Sequence, residues 1–68
     1  MTTKEIVDVL RANTGNRLRV TFADGAVQSV VIGSVDDEGF VHSGPEAQST
    51  EWFWTTFDEV RLLEIGDF

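Results

Sequence analysis

The chain contains no cysteine and no tyrosine, and among its 68 residues only one proline and one histidine. Without cysteine no disulfide can staple the fold, and thiolate chemistry is excluded. With His42 as the sole imidazole, a zinc site of the usual Cys/His kind is excluded too. The longest apolar run is Val30-Val31-Ile32, far short of the roughly 20 residues that a membrane-spanning helix needs. Glycines 33, 39 and 44 fall in separate turns, so no phosphate-cradling loop is present. The segment Met1-Thr-Thr-Lys-Glu5 lacks a basic region followed by an apolar core, which predicts no signal peptide and a cytoplasmic, soluble protein.

Positive charge is scarce as well. Five Lys and Arg stand against twelve Asp and Glu, for a net charge of −7. The excess is uneven. Residues 1–35 carry Lys4, Arg11, Arg17 and Arg19 against Glu5, Asp8 and Asp24, whereas residues 36–68 carry Arg61 alone against nine carboxylates. A polyanion is repelled by most of such a surface, so nucleic acid is not the expected partner. What remains is a hydrophobic content of 41%, ordinary for a globular protein. The length fits a single domain, residues 1–68. A domain this small buries only about 60% of the surface its unfolded chain exposes.

The plainest local signal is Leu18-Arg-Val-Thr-Phe-Ala-Asp-Gly-Ala-Val-Gln-Ser-Val-Val-Ile32. Leu18, Val20 and Phe22 alternate with Arg17, Arg19 and Thr21, the period of a strand with one wet face. Asp24-Gly25 supplies residues that tolerate positive φ, as a two-residue hairpin turn requires. Such a turn sets Phe22 opposite Val27, Val20 opposite Ser29 and Leu18 opposite Val31. Because Val30 and Ile32 are then apolar on the other face, the second strand, 26–35, is expected to bend near Gly33.

Upstream, Thr2-Thr-Lys-Glu5 fits a capping box. Ile6, Val7 and Leu10 share one helical face, and Gly15 stands where a helix would stop, so a helix is predicted near residues 3–13. Downstream, Asp36-Asp-Glu-Gly39 is a turn, Phe40-Val-His42 a short strand, 43–50 a loop, Glu51–Thr56 a strand, Phe57–Val60 a tight or 3₁₀ turn, and Arg61–Ile65 a last strand. The fold class is mainly β: a small barrel of about five strands over residues 17–65 with one N-terminal helix.

This order of elements, from the helix to Ile65, resembles the small SH3-like barrels and, within them, the Sm-like (LSm) proteins. The sharpest part is Leu18-x-Val20-x-Phe22-x-Asp24-Gly25 followed by Ser34-Val35-Asp36-Asp37, which is similar to the first Sm motif. The resemblance implies assembly by edge addition, since in Sm-like rings the fourth strand pairs with the fifth strand of the next subunit. It also implies an RNA-binding loop at Asp36, Asp37 and Gly39. There the chain departs from the family: Glu38-Gly39-Phe40-Val41 has no Asn where Sm-like proteins usually place one. Phe57-Asp58-Glu59-Val60 likewise has two acids where the second motif usually carries an Arg-Gly or Lys-His step.

Trp52, Phe53, Trp54 and Phe57 hold four of the seven aromatics. In a strand Trp52 and Trp54 share a face and Phe53 takes the other. The tryptophans either close the barrel against the helix or form an interaction surface, where such rings concentrate binding energy. Arg17 and Arg19, the only basic pair, point outward together and can pair with acids of the barrel or of a neighbouring subunit. Asp36-Asp37-Glu38 could attract calcium but lacks spaced ligands. His42 has no nucleophile beside it in sequence. The sequence therefore predicts a non-enzymatic protein–protein interaction or self-assembly module without cofactor, homo-oligomeric through its edge strands. A divergent Sm-like single-stranded RNA binder is the alternative.

Overall fold

The computed structural model describes residues 1–44 and 51–65. In chain order these form helix α1 (Thr3–Ala12), strands β1 (Arg17–Phe22), β2 (Val27–Val35), β3 (Gly39–Ser43) and β4 (Trp52–Thr56), a 3₁₀ turn (Phe57–Glu59), and strand β5 (Val60–Glu64). The strands make one antiparallel sheet in the order β4-β3-β2-β1-β5. The fold is mainly β with one N-terminal helix, as the sequence predicts. Among the described residues no helix is long and apolar enough to cross a membrane.

Helix α1 starts where its side chains can satisfy its free N–H groups. The Glu5 N–H donates to Thr2 Oγ1 at 3.2 Å, and the Thr2 N–H donates to Glu5 Oε1 at 3.1 Å, completing the capping box. It ends one residue short of the predicted limit, because Asn13 and Thr14 take its last carbonyls. Asn13 Nδ2 donates to the Val9 carbonyl at 2.8 Å and Thr14 Oγ1 to that of Leu10 at 3.3 Å. Gly15 does not cap: its N–H donates across to the Ile32 carbonyl at 2.7 Å, tying the helix exit to β2.

The Thr2 backbone N–H, with the Thr2 hydroxyl contact second, holds the Glu5 carboxyl below the usual Glu value. A carboxylate whose folded pKa is lowered stabilises the fold fully above its unfolded value, about 4.3 for Glu. It loses that contribution as pH falls through the lowered folded value. The Thr2 amide resonance is therefore expected to titrate with an acid midpoint below that of a free Glu in an NMR pH series, and Glu5→Gln should abolish the step. A midpoint at or above the free value would contradict the cap.

The hairpin turn differs from the expectation by one residue. The Gly25 N–H donates to the Phe22 carbonyl at 2.9 Å, the Phe22 N–H to that of Ala26 at 2.8 Å, and the Ala26 N–H to Asp24 Oδ1 at 2.9 Å. Only Gly25, at φ +91°, takes a positive φ in this turn. A two-residue type I′ turn needs positive φ at both centres. With Asp24 on the ordinary side, the chain makes a three-residue turn and a glycine bulge instead. Every facing pair shifts: Leu18 stands opposite Val30, Val20 opposite Gln28 and Arg17 opposite Val31. A one-residue slip turns the whole strand over, so Val30 and Ile32 face inward with Leu18 and Val20. The change of buried face along β2 falls past Gly33: Val30 and Ile32 face the core, then Ser34 is exposed and Val35 packs against it. The expected irregularity near Gly33 accompanies it, as a register shift between Ile32 and Val35 against β3.

Ile6, Leu10, Leu18, Val20, Val30, Ile32, Phe40, Phe57, Val60 and Leu63 form the core. α1 lies against β2, β5 and the 3₁₀ turn. The last strand pairs with the first, Arg19 facing Glu64 and Val20 facing Leu63. Thus β4 and β5 are the two ends of the sheet.

Candidate functional site

β4 pairs with β3 through Ser43–Trp52, His42–Phe53 and Val41–Trp54. Its outer flank has no partner strand among the described residues. Trp52, Phe53 and Trp54 are 57%, 44% and 49% exposed, so three adjacent aromatic rings stand half in solvent on a sheet edge. Alternation places the two indoles on one face and Phe53 on the other. The Trp52 ring covers Gly33, where an added Cβ would stand 3.2 Å from Cζ3. The Trp54 ring covers Gly39, where it would stand 2.9 Å from Cζ2. Neither tryptophan belongs to the core, and the helix lies chiefly against β2, β5 and the 3₁₀ turn.

Phe57 is not on this surface. It begins the 3₁₀ turn, where period-2 alternation ends, and it is buried with its ring stacked 6.4 Å from Phe40 at an interplanar angle of 9°.

Gly39 is likewise no part of an open loop. It is the first residue of β3 and buried, and a Cβ there would collide with the Thr55 carbonyl oxygen. Gly39→Ala must push β4 away from β3. Overpacking of this kind costs about 1–3 kcal/mol, so a urea melt should show a lower midpoint, with the Trp54 fluorescence environment altered. An unchanged midpoint would mean that the strands do not approach so closely.

Asp36 and Asp37 are exposed in the turn that the Asp36 N–H closes by donating to the Gly39 carbonyl at 2.8 Å. With Val35, Glu38 and Trp54 they line a shallow depression of about 450 Å³. Among the described residues no three carboxylates or imidazoles converge to hold a metal ion. Arg17 is half-buried, and its Nη1 donates to the Ser29 carbonyl at 3.2 Å across the hairpin. Arg19 is exposed, facing Ser29 on one side and Glu64 on the other.

A second concavity, about 510 Å³, opens beside β4. Phe22, Gln28, His42, Phe53 and Thr55 line it, with Asp24 and Glu59 also on its wall. His42 is 4% exposed. Its Nδ1 lies 2.8 Å from the Ser43 carbonyl and its Nε2 2.7 Å from Thr55 Oγ1. A carbonyl only accepts, so Nδ1 carries the proton and, in the neutral ring, Nε2 accepts from the threonine hydroxyl. Both nitrogens are thereby committed to the fold. Phe22 and Phe53 flank the imidazole, each with ring centroid 6.0 Å away. Asp24 and Glu59 come from opposite halves of the sequence and meet because the Ala23 N–H donates to the Glu59 carbonyl at 2.7 Å. Sequence reasoning misses this cavity. Its parts lie on five elements, and the one legible sign is that Phe22 and His42 sit on apolar faces of their strands.

No family model, curated protein or solved structure matches the chain.

Proposed function

We propose that the chain is a non-enzymatic self-assembly module of the Sm-like kind, in which the outer flank of β4 pairs with the outer flank of β5 of another copy. The observation that carries this reading is the pair of sheet ends without a partner strand among the described residues, one of them bearing Trp52, Phe53 and Trp54 half in solvent. An edge strand with exposed apolar side chains templates further pairing unless it is blocked, and aromatic residues concentrate interface energy. On β5, Leu62 is 40% exposed. The Leu63 N–H there donates to Met1 Sδ at 3.2 Å. A thioether is a weak acceptor, which a backbone carbonyl of an incoming strand displaces.

The order of the elements, with the 3₁₀ turn between β4 and β5, supports the Sm-like reading. The carboxylates of Asp36, Asp37 and Glu38 beside Trp54 oppose a phosphate backbone and speak against RNA as the natural partner.

Light scattering over a concentration series at two salt levels tests the proposal. A mass of several subunits that persists at high salt is expected, since the contact is apolar and backbone-mediated. A single-subunit mass throughout overturns it.

A further inference from the structure

We infer that the concavity between β1, β3, β4 and the 3₁₀ turn is a binding site for an arginine side chain presented by a basic partner protein. This goes beyond self-assembly and does not depend on it, because the wall, to which both Phe53 and Trp54 contribute, is complete in one copy.

The lining has the composition that a guanidinium requires. Phe22 and Phe53 provide aromatic walls on either side of the His42 floor, and a cation is attracted to aromatic faces. Asp24 and Glu59 are exposed on the wall, and neither has an ion-pair partner among the described residues. Asp24 uses Oδ1 to accept from the Ala26 N–H, which leaves its other oxygen for an incoming donor. The Gln28 side chain adds a further acceptor. His42 and Thr55 satisfy each other, so the floor leaves no free ring nitrogen to compete for the carboxylates. The one cation near the rim, Arg61, donates from Nη2 to the Ala23 carbonyl at 3.4 Å, leaving two carboxylates against one guanidinium.

A planar guanidinium can lie against a ring and fork to a carboxylate at once, which an ammonium cannot. The volume of about 510 Å³ lies within the range of ligand pockets, roughly 300–1,000 Å³, and admits one long side chain with part of its backbone. A second copy of this chain is a poor source of that side chain, since it brings a net charge of −7. A basic partner is attracted by the same field.

The test is an NMR titration of the ¹⁵N-labelled chain with a Gly-Ser-Gly-Arg-Gly-Ser peptide, its citrulline counterpart and a short oligouridylate. Saturable shifts centred on the Phe22, Ala23, His42 and Phe53 amides with the arginine peptide, and not with citrulline, are expected. The variant D24N/E59Q should weaken binding about fivefold or more. Both positions are exposed, so the fold stands, and its unchanged spectrum outside the cavity checks this. Phe53→Leu, which keeps bulk and removes the ring, should weaken it by a similar factor. No shifts at millimolar peptide, equal shifts with citrulline, or shifts of these amides by the oligouridylate alone would each overturn the inference.

Discussion

On the proposed assembly, the double variant W52S/W54S is expected to run as a single subunit at concentrations where the native chain is expected to run as several. Both indoles stand about half in solvent on the outer flank of the sheet, so their removal leaves the ten-residue core untouched. Aromatic anchors buried at an interface are each worth about 2 kcal/mol or more on truncation. Two of them amount to roughly a thousandfold in association constant. Serine keeps the strand's backbone donors and acceptors, so the variant separates side-chain burial from edge pairing. Light scattering together with a thermal melt decides the matter. A folded single subunit places the assembly energy on the indoles, whereas an unchanged mass moves it to the backbone or to another surface.

Phe40→Ala is expected to leave little folded protein. Phe40 is fully buried, with the Phe57 ring stacked beside it and the His42 ring centroid 5.3 Å away. Truncating a buried phenylalanine costs about 3–5 kcal/mol through lost transfer energy and the cavity left behind. A domain of this length has a total stability of only about 3–10 kcal/mol. There is no disulfide to limit the loss. Far-UV circular dichroism during urea unfolding should show a transition shifted to very low denaturant or absent. A native-like midpoint would mean that the core collapses around the gap.

The features that the sequence displays are those decided within a few residues. The α1 cap is legible because Thr2 and Glu5 satisfy each other across three positions. β1 is legible because Leu18, Val20 and Phe22 alternate with polar residues, and β4 because its residues favour pleated surfaces. The hairpin register is not, because it turns on whether Asp24 or only Gly25 adopts positive φ, a choice that composition leaves open. That single residue decides whether Val30 or Val31 faces Leu18. The aromatic cluster shows a related limit. Period-2 reasoning separates Trp52 and Trp54 from Phe53 but does not say which face meets solvent, and it has no hold on Phe57, which sits where the strand has given way to a 3₁₀ turn. The cavity is illegible for a third reason: Asp24 and Glu59 meet through one backbone hydrogen bond between residues far apart in the chain.

The pairing of β5 with β1 has a consequence for how the molecule comes into being. Three core residues, Phe57, Val60 and Leu63, are synthesised after the other seven. Until that segment leaves the ribosome, one flank of β1 has no strand to bond, and the apolar face of α1 lacks β5 and the 3₁₀ turn, two of the elements it packs against. Loop closure across nearly the whole chain must precede the gain from burial. Folding therefore waits on this segment, and a nascent chain stalled before Phe57 presents an open strand and an apolar helix face to whatever lies near.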